Sequence, residues 1–117
     1  MLGPHAFPPS RRLHYAWEYR RFFDKNQVIR LSQCTIFRIS NETGHFRLGI
    51  TLKARGSSVD RNKVKRQIRE SFRNLGPFLG SFDYNVVIPG SKKMVHPYPQ
   101  KLGLSLKEEL RNALGVP

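Results

Sequence analysis

The chain has 117 residues, of which 21 are Lys or Arg and 8 are Asp or Glu, a formal net charge of +13. That length suits one compact domain rather than two, and 38% hydrophobic residues with 8 Phe, 4 Tyr and 1 Trp can fill a core, which excludes a disordered basic tail. The single cysteine, Cys34, excludes an intrachain disulfide and a cysteine-held metal, and no apolar run approaches a membrane span, so a polyanion in a reducing, cytoplasmic setting is the default partner.

Residues 1–9 carry three prolines and a glycine and read as an irregular leader, with one RNA-binding domain over 10–114. Ser10 can cap a first helix over Arg11–Asp24, where Leu13, Ala16, Trp17, Tyr19, Phe22 and Phe23 are interleaved with arginines. Residues 27–39 alternate as one bent strand or two short ones, with Cys34, Ile36 and Arg38 to one side and Thr35, Phe37 and Ile39 to the other. Asn41-Glu42-Thr43-Gly44 is a turn, so Phe46–Lys53 reads as the returning strand of a hairpin. A short loop through Arg55 leads into a basic helix that Gly76-Pro77 ends. Asp83–Ile88 is a strand stopped by Pro89-Gly90, residues 91–99 form a Lys- and Pro-bearing loop, and Leu102–Leu114 is a final helix, apolar at Leu102, Leu106, Leu110, Ala113 and Leu114. The order α-β-β-β-α-β-α predicts an α+β sandwich, one sheet of about four strands with three helices packed on it.

The basic helix carries the strongest functional signal. At about 100° per residue, Val64, Ile68, Phe72 and Leu75 share one face, while Arg61, Lys65, Arg69, Asn62, Arg73 and Arg66 fill an adjoining arc of roughly 140°. Lys63 and Glu70 lie on the far side. With Ser58 or Asp60 as N-cap, Arg61 and Lys63 sit in the first turn, where the macrodipole disfavours cations. A helix start that offers both free amides and cations suits phosphates. A solvated basic face, a membrane-surface helix or a calmodulin-like target are the other readings of this pattern. Tyr19, Phe22, Phe23 and Phe37 among Arg12, Arg20, Arg21 and Arg38 give a second signal, since aromatic faces between cations stack unpaired bases.

Catalytic chemistry is not legible. The carboxylates are scattered, and the adjacent Glu108-Glu109 pair lies beside Arg111 on the last helix. His5, His14, His45 and His96 lack metal-ligand spacing, and no Gly-rich phosphate loop is present. Cys34, in an apolar run, reads as a small buried hydrophobe.

Arg61-Asn62-Lys63-Val64-Lys65-Arg66-Gln67-Ile68-Arg69-Glu70-Ser71-Phe72 resembles the Arg-Asn-Arg signature helix of the bacterial ribonuclease P protein component. Phe46–Thr51 resembles that family's Arg-hydrophobic-Gly strand, Asp83–Ile88 its next strand, and Arg12-Leu13 with Tyr19 and Phe23 its opening helix, so the likeness spans roughly residues 7–114. The resemblance implies a fold like the second domain of ribosomal protein S5, with a left-handed β-α-β crossover against the usual preference. It further implies a ribonucleoprotein endoribonuclease in which a large RNA, using Mg2+, cleaves the 5′ leader from precursor tRNA, with no cofactor held by the protein alone and no obligate protein partner. By the same resemblance Arg61, Asn62, Lys63, Lys65, Arg66, Arg69 and Arg73 face ribonuclease P RNA, while Arg12, Tyr19, Phe23, Phe37, Lys53 and Arg55 bind the leader. Lys63 departs from the signature by replacing an Arg, which keeps the charge and loses the bidentate fork. The loop at 54–58 is shorter and less basic than the family's, and residues 91–99 are more Pro-rich. The rivals are a ribosomal-type structural RNA binder without a role in cleavage, a stand-alone metal-dependent nuclease and a duplex-DNA regulator.

Overall fold

The computed structural model describes residues 9–23, 26–53, 57–89 and 102–115. Its elements are helix α1 (Ala16–Arg20), strands β1 (Gln27–Arg30), β2 (Thr35–Ser40) and β3 (Arg47–Leu52), helix α2 (Ser58–Leu75), strand β4 (Phe82–Ile88) and helix α3 (Leu102–Ala113). The strands form one mixed sheet in the order β1-β2-β4-β3, so the fold is α+β, as the pattern predicts.

The hairpin expected between β2 and β3 does not form. Strand β4 inserts between them, antiparallel to β2 and parallel to β3. Burial explains this choice, because β4 is the most buried strand: Tyr84, Val86 and Ile88 are buried on the α2 face and Asp83 on the other, where Asn85 and Val87 are half-buried. A parallel pair needs a long crossover, which the 18-residue α2 provides. The hairpin is instead β1–β2, closed where the Leu31 amide donates to the Cys34 carbonyl at 2.9 Å. The 41–44 turn forms, but it carries the chain past the start of β4, with the Asn41 amide donating to the Ser81 carbonyl at 3.0 Å.

The first helix is shorter than the Arg11–Asp24 its pattern suggests. Only Ala16–Arg20 is α-helical, between 3-10 turns at Pro9–Arg11 and Arg21–Phe23. The edge of β3 competes for the backbone: the Leu13 amide donates to the Leu48 carbonyl at 3.0 Å, which draws residues 12–13 into an extended path. Ser10 therefore does not cap α1, whose N-cap is Tyr15. Glu18 ties down that start, its Oε1 accepting from the His14 amide at 2.8 Å and the Tyr15 amide at 2.9 Å.

One face of the sheet packs on α2 and α3. Val64, Ile68, Phe72 and Leu75 are buried as the helical stripe predicts, against Ile36, Leu48, Tyr84, Val86 and Ile88, with Leu106 and Leu110 from α3. Ala113, expected on that apolar face, is exposed. Cys34 belongs to the same core, where burial, then the nearby Glu109 carboxylate, pushes its thiol up to about 11. The opposite face carries only a small cluster of Leu13, Phe22 and Ile39, with Tyr19 and Phe37 at its border.

Candidate nucleic-acid interface

Helix α2 starts one turn-position earlier than expected. Ser57 is the N-cap, its hydroxyl accepting from the Asp60 amide at 3.1 Å. Asp60 then occupies the first turn, and Lys63 moves into the second, so the conflict between cations and macrodipole is milder than the sequence suggests. Arg61, Lys65, Arg69 and Arg73 are half-buried along one flank, and Asn62, Lys63 and Arg66 are exposed. With a rise of about 1.5 Å per residue, the four flank cations repeat every ~6 Å along ~18 Å of helix. Being half-buried, the row is held more tightly than freely solvated lysines would be. Arg73 pairs with Glu70 and contributes less net charge than the others. Arg69 is the most enclosed chemically: burial first, then the neighbouring Arg12 cation, hold its guanidinium below its ordinary range.

The face of the sheet away from α2 is only partly covered. Val28, Phe37, Asn85 and Gly49 align as one row across all four strands, and Arg30, Thr35, Val87 and Thr51 form the next. Tyr19 lies over the Gly49 end of the first row. A Cβ on Gly49 would meet the Tyr19 ring at 2.6 Å, so the missing side chain is what lets α1 approach. Burial pushes the Tyr19 phenol above its ordinary range, and a hydrogen bond at the Ile50 backbone partly offsets it. Thr51 donates from its hydroxyl to Asn85 Oδ1 at 3.0 Å, a polar strip beside the half-buried Phe37. Phe23 is 87% exposed at the end of the second 3-10 turn, and Phe22 is the buried member of that pair. Lys53 is exposed and Arg12 half-buried, while Arg55 lies outside the described residues, as does the 91–99 loop. Val28, Arg30, Thr51 and Asn85 join this face without having been picked out in the sequence. Only the position of β4 reveals them, since their register is invisible while β3 is taken for the partner of β2.

A buried charge network sets the position of α1. Asp83, 0% exposed, accepts from Arg47 Nε at 2.8 Å and Nη2 at 2.6 Å, from Arg21 Nη1 at 3.0 Å and from Asn41 Nδ2 at 2.8 Å. Arg47 also donates from Nη1 to Glu18 Oε2 at 2.7 Å. Burial pushes the Glu18 carboxyl up, but the His14 and Tyr15 amides and the Arg47 guanidinium outweigh it and leave the group below its usual range. Two carboxylates, two arginines and an amide thus join α1, β3, β4 and the 41–44 turn. Sequence alone misses this network, because its members are spread over residues 18 to 83 with no recognisable spacing. Among the described residues, no three His, Cys, Asp or Glu side chains come together as a metal-ligand set.

The model of the ribonuclease P family matches residues 7–114. A ribonuclease P protein component from Mesoplasma florum is 35% identical over 80 residues, covering 68% of this chain and 73% of the relative. The ribonuclease P protein of Staphylococcus aureus superposes with a TM-score of 0.72 at 28% identity, over 88% of this chain and 94% of that one. The protein from Thermotoga maritima gives a TM-score of 0.70 at 27% identity, over 88% and 94% of the two chains.

Proposed function

The chain belongs to the ribonuclease P protein family, a component of a ribonucleoprotein endoribonuclease, and from that premise we propose how its two surfaces divide the work. The basic flank of α2 docks on ribonuclease P RNA. The half-covered sheet face beneath α1 takes the single-stranded 5′ leader of precursor tRNA, with Tyr19 and Phe37 stacking its bases and Phe23 closing one end. The hydrolytic step belongs to the RNA. Among the described residues the two buried carboxylates, Glu18 and Asp83, are held by arginines and amides and do not fit a metal site. On this reading the Mg2+ of the holoenzyme serves the RNA's chemistry. No helix among the described residues is long and apolar enough to cross a membrane.

The observation that carries this reading is the meeting of two unlike surfaces. Arg69 on the cationic flank lies close enough to Tyr19, at the edge of the aromatic face, for each to shift the other's titration. An RNA on α2 would therefore present a substrate strand directly to the sheet. A structural RNA binder needs the first surface and has no use for the second.

The test is precursor-tRNA cleavage by a bacterial ribonuclease P RNA at low magnesium, with and without this protein, on substrates that differ in leader length. The proposal expects rescue by the protein, greater for the longer leader. Tight RNA binding with no rescue would favour a structural role.

A further inference from the structure

His14, Tyr15 and Trp17 place three rings on the outside of the segment that enters α1. The Tyr15 and Trp17 rings are within 9° of parallel with centroids 6.3 Å apart, and His14 stands edge-on to Tyr15 at 6.3 Å and 65°. Tyr15 is 62% exposed and Trp17 55%, and neither belongs to a core cluster. At about 100° per residue, Trp17 falls roughly 160° around α1 from Tyr19. Tyr19 lies over Gly49 of the sheet, so Trp17 points away from the surface assigned to the leader, and the exposed Tyr15 ring lies parallel to it.

These rings are rigidly mounted. The amides of His14 and Tyr15 both end on Glu18, and Glu18 is tied through Arg47 to Asp83. His14 Nε2 also lies 2.7 Å from the Pro9 carbonyl oxygen. Two large rings exposed side by side and outside both core clusters suit contact with a flat partner. A platform ordered before binding loses little entropy when a flat partner lands on it.

The surroundings identify the partner. The segment runs along the outer edge of β3, with Leu13 bonded to Leu48 and the Arg11 guanidinium 5.2 Å from the Phe46 ring centroid. Arg12 is an electrostatic neighbour of Arg69 on the flank of α2. Arg12 bridges to Leu48 of β3, and Leu48 packs with Val64 and Ile68 of α2, so the platform and the cationic flank of α2 meet on the same edge strand. A net charge of +13 repels a second copy of the chain and attracts a polyanion.

We infer that the Tyr15–Trp17 stack is a docking platform for an unpaired nucleobase of the RNA subunit, extending the α2 contact around the edge of β3. This inference rests on the reading that α2 docks on that RNA. Tyrosine and tryptophan serve here because their faces stack on any base, while the neighbouring arginines hold the adjoining phosphates.

Trp17 is the only tryptophan in the chain, so its emission reports on this site alone. The full-length protein is titrated with ribonuclease P RNA without substrate, following Trp17 fluorescence and, separately, a gel mobility shift. The expected result is quenching in step with the shift. Trp17→Ala should weaken RNA binding about tenfold with an unchanged salt slope, and Trp17→Phe should recover most of the loss. A mobility shift with unmoved fluorescence would overturn the platform and leave the proposed function standing. Quenching that appears only when leader-bearing precursor is added would overturn it in favour of the leader. A concentration-dependent change without RNA would overturn it in favour of a second copy. Absence of any binding would overturn both this inference and the proposed function.

Discussion

The two faces of the sheet are built on different physics. The face under α2 and α3 is a closed apolar core in which Phe72 packs edge-on to Tyr84 at 5.3 Å and tilted on Phe46 at 6.1 Å. The face under α1 has one small apolar cluster and is held mainly by a four-membered ion-pair network, with aromatic rings left half in water. A closed core stabilises but binds nothing. A buried ion pair contributes little net stability yet strongly fixes geometry, because either partner left alone is an uncompensated charge. The molecule uses the first device for its fold and the second to hold α1 over a half-covered sheet face, the surface proposed for the leader.

The sharpest way to break this contrast is to cut into each face separately. Phe72→Ala should cost about 3–5 kcal/mol in denaturant unfolding, spread over the whole domain. Asp83→Ala should also cost about 3–5 kcal/mol, by removing the buried carboxylate that Arg47 and Arg21 share and leaving Arg47 with Glu18 alone. The two should differ in hydrogen exchange. Asp83→Ala should expose residues 13–20 to exchange ahead of α2, whereas Phe72→Ala should raise exchange everywhere. Uniform exchange in both variants would mean that α1 is not a separately anchored element.

A smaller and more local effect is expected at Gly49. Gly49→Ala drives a methyl into the Tyr19 ring and should cost about 1–3 kcal/mol as an overpacked contact. Leader-bearing substrate should bind more weakly in the holoenzyme while mature tRNA is unaffected. Equal losses would place Tyr19 in the core and not at a binding face.

Acid should loosen the α1 face before the core. Glu18 has a folded-state pKa below its unfolded value, so the stability it contributes is present above the unfolded carboxylate range, near pH 4.3, and is lost as pH falls through the folded pKa. Thermal unfolding followed down through that range should show a steeper acid limb for the natural chain than for Glu18→Gln. Parallel limbs would contradict the assignment.

The smallest effects belong to single cations on α2. Arg69→Ala should lower the salt slope of RNA binding by about one unit. Arg73→Ala should lower it less, because Glu70 already neutralises part of that charge.

The closed face was largely legible in the sequence. The Val64, Ile68, Phe72, Leu75 stripe follows from helical periodicity alone, and the alternation of 34–39 sorted Cys34 and Ile36 from Phe37 and Ile39 correctly. The other face was not. Short local turns suggest a β2–β3 hairpin, but the more deeply buried β4 takes the place between them. Helical spacing overextended the first helix, because the backbone of residues 12–13 prefers the open edge of β3. The ion-pair network left no trace, since Glu18, Arg47 and Asp83 look like ordinary surface charges until the topology brings them together. Periodicity reports which side of an element is apolar; it does not report which elements become neighbours.

The proposed function requires the two surfaces to have separate ligands. Its most direct test is the holoenzyme affinity for precursor tRNA relative to mature tRNA, measured for the natural chain, Phe37→Ala and Arg66→Ala, together with affinity for the RNA subunit. Phe37→Ala should shrink the preference for precursor and leave RNA assembly intact, while Arg66→Ala should weaken assembly and leave the preference intact. A loss of both properties in both variants would contradict the account.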